Sequence, residues 1–206
     1  MIPIGHSFDM DLLTTLLSLF LFVGISMLIG ATLVKVIRAK GEVANMPLTV
    51  TITAIVSLFL FARYGLSVTA IQGVFLMFVL LYASISDVNY HIVDDYIWVI
   101  VFALALLNIE KIGMTSMVVG ALCVFIPQMA MALLPPHKTL GGADIKLSTA
   151  LAFLLGGWKG ICAYLLGLII AVIFMCIYNK VKGNKEKKPF ALVPFLSVGA
   201  MIVFII

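Results

Sequence analysis

The chain has 206 residues, of which 64% are hydrophobic by the AVILMFWYC count and 11% charged, with a formal net charge of +4; mean hydropathy is +1.24. So few polar side chains cannot cover a soluble globular surface, and so many apolar ones exclude a disordered chain. A polytopic membrane protein remains, and the 13 basic residues find their use in topology rather than in nucleic-acid binding.

A membrane-crossing helix takes about 20 apolar residues. Apolar runs broken by charge, Gly and Pro predict eight segments, at residues 12–37, 47–62, 68–86, 96–109, 114–134, 145–155, 160–178 and 190–206. The expected fold is all-α, a bundle of six to eight transmembrane helices forming a single integral membrane domain over residues 1–206. The fourth and sixth segments are short for a full crossing. They either extend into the acidic stretches before them or lie half-buried against neighbours. Pro127 predicts a kink in the fifth segment, which would help open a cleft on one side. Gly120, Gly156, Gly157 and Gly167 fit close helix contacts, and Trp98 and Trp158 an interfacial aromatic belt. Cys123, Cys162 and Cys176 sit inside apolar runs without a CxxC pair and read as small packing residues. The N-terminus has no basic n-region, and Asp9 and Asp11 precede the first apolar run, so no cleaved signal peptide is read there.

Orientation follows from Lys and Arg. With the N-terminus outside, Lys35, Arg38, Lys40, Lys138, Lys146, Lys180, Lys182, Lys185, Lys187 and Lys188 are cytoplasmic. Only Arg63, Lys111 and Lys159 are outside. The asymmetry predicts both termini outside and an even number of crossings, in a cell inner (cytoplasmic) membrane whose anionic lipid would attract the basic side.

Asp9, Asp11, Glu110, Glu42 and Glu186 fall in polar ends and loops as ordinary surface charges. Asp87, Asp94, Asp95 and Asp144 do not: all four fall at span edges on the cytoplasmic side, where an ionisable group is costly without water or a partner. Asp94 and Asp95 stand just before Tyr96-Ile97-Trp98 and fit helix N-caps, at least one of them by its side chain; Asp144 fits a cap as well. Asp87 has no such role, because it follows a helix at the unfavourable dipole end. Two such acids brought together share one proton, since like charges a few ångströms apart resist joint ionisation. The ionised member then activates water while the protonated one polarises a peptide carbonyl. Gly141 and Gly142 leave room for an extended substrate beside Asp144.

These residues carry a resemblance. Gly141-Gly142-Ala143-Asp144-Ile145-Lys146-Leu147 resembles the GxGD motif of the prepilin (type IV leader) peptidases. Asp87-Val88-Asn89-Tyr90-His91-Ile92-Val93-Asp94-Asp95 is similar to that family's other acidic motif, with a catalytic Asp first and a polar residue eight positions on. Lys188-Pro189-Phe190 through Pro194-Phe195 resembles its last signature, and residues 30–38 the end of its first span. The resemblance implies an intramembrane aspartic endopeptidase with its active site at the cytoplasmic face and Asp87 and Asp144 as the catalytic pair. Gly141, Gly142, Lys146, Asp94 and Asp95 would bind substrate or support the pair. Lys146 would tune Asp144, bind a backbone carbonyl or serve as a snorkelling anchor. The implied substrates and partners are prepilins and pseudopilins of type IV pilus and protein-secretion systems, cleaved after a Gly between a short basic leader and an apolar helix.

The chain departs from the family pattern at Ala143, which adds a methyl beside the acid, and at Asp94, where many members have Pro. His91 stands where a polar or basic residue is common, either as a pH sensor or without a role. Longer members carry a zinc-binding insert with two CxxC pairs after the first span and methylate the new N-terminus with S-adenosylmethionine. Here residues 38–47 contain no Cys, so a short form is expected, with no metal and no cofactor, and whether it methylates is left open. Two other classes fit paired acids in a bundle: a small proton-coupled transporter, and a non-catalytic membrane assembly factor. The acids at one face and the lack of an inverted repeat weigh against the first, and the survival of both acids against the second.

Overall fold

The computed structural model describes residues 6–133, 141–182 and 190–206. The expectations placed on Lys138, on residues 185–188 and on Pro189 lie outside them. The helices are α1 (His6–Ala39), α2 (Met46–Tyr64), α3 (Val68–Tyr90), α4 (Asp95–Leu106), α5 (Ile109–Ile112), α6 (Met114–Leu133), α7 (Gly142–Leu155), α8 (Gly157–Lys182) and α9 (Val193–Ile205). Each of the eight predicted segments has its helix, and the described residues are an all-helical polytopic membrane bundle. The one-turn α5 was not predicted.

Five helices are long and apolar enough to cross a membrane: α1 from Leu12, α2, α3, α6 and α8. Helices α4, α7 and α9 have 12, 14 and 13 residues. At about 1.5 Å per residue they measure roughly 18 to 21 Å, short of a hydrocarbon core of about 30 Å. The fourth and sixth segments do extend into their acidic flanks, beginning at Asp95 and Gly142, and still remain short. The helical run of α6 continues through Pro127 to Leu133.

Contacts divide the chain into two compact units, the first ending at Phe78 and the second Val79–Ile206, with the boundary inside α3. In the first unit α1 and α2 pack through small and hydroxyl residues. Ser26, Gly30, Val34 and Ile37 are buried on α1, and Thr49, Thr53, Ser57 and Leu60 on α2. A Cβ at Gly30 would come 2.9 Å from the Thr53 side chain, which would have to shift to admit it. The hydroxyls are satisfied on their own helix, as in the Thr53 Oγ1 bond to the Val50 carbonyl (2.8 Å). The guanidinium of Arg38 closes the following turn by donating twice to the Ala44 carbonyl, at 3.0 and 2.8 Å.

In the second unit α7 is the core. It is buried almost all round, from Ile145 and Leu147-Ser148 through Ala150–Leu155, as a helix enclosed by others must be. Helices α4, α6, α8 and α9 surround it. Phe102 of α4 stacks on Phe153 at 4.4 Å between ring centroids. Gln128 of α6, buried, donates to the Ser148 hydroxyl at 2.8 Å. The α7–α8 turn is made by Gly156 at φ +77, a left-handed conformation that glycine adopts without strain. By contrast α8 turns Leu165, Ile169, Val172 and Ile173 outward, as lipid contact requires. Cys123 and Cys176 are exposed rather than packed inside, which corrects the reading of all three cysteines as packing residues; a Cys is apolar enough to face lipid. Gly120 and Gly167 do permit close contacts: Cβ atoms there would meet the Gly156 backbone at 2.8 Å and the Leu196 Cα at 3.0 Å.

Helices α8 and α9 meet backbone to backbone at Gly199. A Cβ there would fall 2.5 Å from the Ala163 carbonyl oxygen and 2.6 Å from the Gly167 nitrogen. Both are backbone atoms and cannot swing aside. Gly199→Ala should therefore lower stability by about 1–3 kcal/mol through overpacking. Gly24→Ala, where a Cβ meets nothing within 4 Å, should be neutral or slightly stabilising. Thermal unfolding of the two variants in detergent checks the contrast; equal melting temperatures would refute it.

Candidate active site

Asp87 lies in the last turn of α3 and is 6% exposed. Its carboxylate cannot be stabilised by its own helix, whose carbonyl end is negative. It is held instead by the start of α9. The Val193 N–H donates to Asp87 Oδ2 at 3.0 Å, and the Leu192 N–H is a second backbone donor to it. The sequence of α9 explains why these donors are available. The first N–H groups of a helix have no intrahelical acceptor. Pro194 has no N–H, and Phe195 and Leu196 both donate back to the Leu192 carbonyl. The donors at residues 192 and 193 are left over, and a buried acid takes them.

Asp144 is the third residue of α7, with Gly141 as the N-cap. Its side chain is not the cap itself, which corrects the capping expectation. It reaches back one turn to accept from the Gly141 backbone N–H, the half of a capping box that the third helical residue supplies. This arrangement accounts for Gly141. A Cβ there would stand 2.9 Å from Asp144 Oδ2. At Gly142 a Cβ would meet nothing within 4 Å. Asp144 stands outside the five long spans, and its pKa is pushed up to about 6, by burial first and by the charge of Asp87 second, against the opposing Gly141 N–H. The two acids of the sequence motifs are thus close enough to act on one another.

Asp94 and Asp95 do not cap α4 with their side chains, contrary to expectation. Asp94 occupies the N-cap position without a cap hydrogen bond. Its Oδ2 accepts from the Tyr82 hydroxyl at 3.2 Å, and Tyr96 joins the same cluster. Asp95 points to solvent and pairs with Lys146 Nζ at 2.6 Å. That hydrogen bond and charge hold the Asp95 carboxyl below its usual range. Lys146 also lies over the Trp98 ring, 5.9 Å from its centroid, so its ammonium goes to Asp95. His91 ends α3 with φ 53, a left-handed turn in which His is over-represented among non-glycine residues. The loop it opens is tied back to α3 by the Ser86 hydroxyl, which donates to the Ile92 carbonyl at 3.0 Å. Among the described residues no three His, Cys, Asp or Glu side chains are grouped as metal ligands.

The acids of the two motifs converge on one end of the second unit, each met by backbone N–H groups. The profile of the type IV leader peptidase family matches residues 74–178, just over half of the chain, and this stretch contains both acids. The chain belongs to the type IV leader peptidase family, a family of peptidases. No curated protein and no solved structure matches it.

The Asp95–Lys146 pair is exposed on both sides, at 75% and 48%, and surface pairs of that kind add little to stability. Asp95→Asn and Lys146→Gln should leave the melting temperature in detergent unchanged. A drop of several degrees in either would show that the pair secures the packing of α4 on α7.

Proposed function

We propose that the protein is an aspartic endopeptidase of the inner membrane that removes the short basic leader of prepilin-like proteins after a Gly, at the cytoplasmic face. Asp87 and Asp144 are its catalytic residues, and it works as a single domain without metal or cofactor. The observation that carries the reading is the placement of the acids of both motifs at helix ends of the second unit, Asp87 in the last turn of α3 on the Val193 N–H and Asp144 in the first turn of α7, near enough to interact electrostatically. The basic residues of the leader suit the exposed Asp95 and the half-buried Asp94 beside the pair. The apolar helix that follows the cleavage site would lie in the membrane beside the bundle.

Roles follow from the donors. Asp87, facing the N–H groups of residues 192 and 193, is suited to the ionised role. Asp144, with a pKa of about 6, is suited to hold the shared proton. Water attacks the scissile carbonyl carbon, giving its proton to Asp87 as the C–O bond forms. Asp144 delivers its proton to the carbonyl oxygen, leaving a neutral gem-diol. Asp87 then passes its proton to the amide nitrogen as the C–N bond breaks, and Asp144 recovers a proton from the gem-diol hydroxyl. The pair returns to its starting state.

Purified protein in detergent should cleave a peptide with a Lys-rich leader, a Gly and an apolar helix. Asp87→Asn and Asp144→Asn should each lower turnover by at least about 1,000-fold, at the upper part of what a general acid or base contributes. Cleavage by either variant near the wild-type rate would remove that residue from the mechanism. No cleavage by folded wild type with several leaders would favour a non-catalytic or transport role.

The pH dependence has a definite sign. Asp144 is raised above an ordinary carboxyl, so its proton is present below about 6 and lost as pH rises through that value. If that proton is required, kcat/KM falls on the alkaline side with a midpoint of about 6. A flat profile between pH 5 and pH 8 would contradict the assignment.

A further inference from the structure

The ammonium of Lys146, on α7, is seated on α4. Its Nζ donates to Asp95 Oδ1 at 2.6 Å and lies 5.9 Å from the centroid of the Trp98 ring. Asp95 and Trp98 are three residues apart and share one face of α4. One turn beyond Trp98, Phe102 stacks on Phe153 at 4.4 Å between centroids, which fixes this part of α4 against α7. A carboxylate beside an aromatic face is a seat for an alkyl ammonium: the acid supplies charge and acceptor, and the ring supplies its negative face.

The present occupant is held weakly. The side chains of Lys146 and Asp95 are 48% and 75% exposed, and an exposed pair gains little because water competes for both charges. Lys146 can therefore swing away on its flexible stem without leaving a buried charge behind. Asp94, next in the chain, accepts from the Tyr82 hydroxyl rather than from a cation. Two carboxyl groups thus stand against one ammonium at the start of α4. Lys146 is two residues from Asp144, roughly 5 Å between Cα atoms, but on a different face of α7. The seat is accordingly close to the acid pair without being part of it. An extended peptide advances about 3.3 Å per residue, so a few residues of substrate connect the two.

We infer that the Asp95–Trp98 face is the subsite for a lysine ammonium of the leader, and that Lys146 fills it in the free enzyme as an internal competitor. The inference rests on the peptidase reading above and names the residues that read the leader's charge. Binding exchanges one ammonium for another, so the face keeps its cation throughout. A tethered competitor lowers apparent affinity in proportion to the time the seat is filled. It also discriminates, because a leader without a cation has nothing to put in its place. The exchange makes no contact with the scissile bond, so it acts on KM rather than kcat.

The test uses the full-length protein in detergent and two peptides, one with the Lys-rich leader and one with Gln in place of its lysines. With the Lys leader, Lys146→Ala should lower KM about threefold to fivefold and Asp95→Asn should raise it by about as much, the range of an exposed ion pair. Both effects should disappear with the Gln leader. In an Asp95→Asn background Lys146→Ala should no longer lower KM, which separates competition for one seat from a general change in surface charge. Phosphatidylethanolamine added to the micelles offers the same ammonium from a lipid and should leave KM for the Lys leader unchanged. An unchanged or raised KM in Lys146→Ala, equal effects with both leaders, or an undiminished effect without Asp95 would each overturn the inference while Asp87→Asn and Asp144→Asn still abolish cleavage. A lipid-induced rise in KM that is lost in Asp95→Asn would give the seat to a lipid amine and overturn it too. Absence of cleavage of either peptide by wild type would overturn the peptidase reading and this inference together.

Discussion

A carboxylate at the edge of a membrane helix survives only if donors meet it, and the arrangement of the second unit depends on how Asp87 is met. Its own helix offers the wrong end of a dipole. The bond from the Val193 N–H, at 3.0 Å, places the start of α9 against the end of α3. The Ser84–Ser197 hydrogen bond, at 3.1 Å, repeats that contact one turn further along α9. The position of α9 in turn depends on glycine: Gly199 and Gly167 let its backbone approach α8 more closely than any side chain would allow. Packing far from the acids thus determines what one of them touches.

The second acid depends on a different constraint. Asp144 begins the most enclosed helix among the described residues, so its surroundings are set by α4, α6, α8 and α9 together. Burial raises its pKa, and its one-turn return to the Gly141 N–H keeps it at the mouth of that helix. A Cβ at position 141 would stand 2.9 Å from this carboxylate, which would have to shift to admit it. Ala143, the departure from the GxGD pattern, lies at the second position of α7.

Much of this was legible in the sequence. Asp87 and Asp144 each interrupt an apolar run, and the cost of an acid there makes it conspicuous. The helices were legible for the same reason, through hydropathy. Other features carry no letter of their own. The N–H groups of residues 192 and 193 belong to the backbone, and only the missing N–H of Pro194 hinted that donors there would be spare. The capping expectation for Asp94 and Asp95 rested on local preference, which lost to tertiary partners in Tyr82 and Lys146. Gly199 sits in a run of apolar residues like any lipid-facing position, and its close contacts involve Ala163 and Gly167, more than 30 residues away.

In the proposed mechanism Asp87 and Asp144 hold one proton between them. Infrared titration of the protein in detergent reads this directly, through the carbonyl stretch of a protonated carboxyl. The account predicts a band that disappears with a midpoint of about 6, that is absent in Asp144→Asn, and that titrates at lower pH in Asp87→Asn, where the neighbouring charge is gone. A band unaffected by either substitution, or a midpoint that does not move when Asp87 is neutralised, would show that the two acids do not share a site.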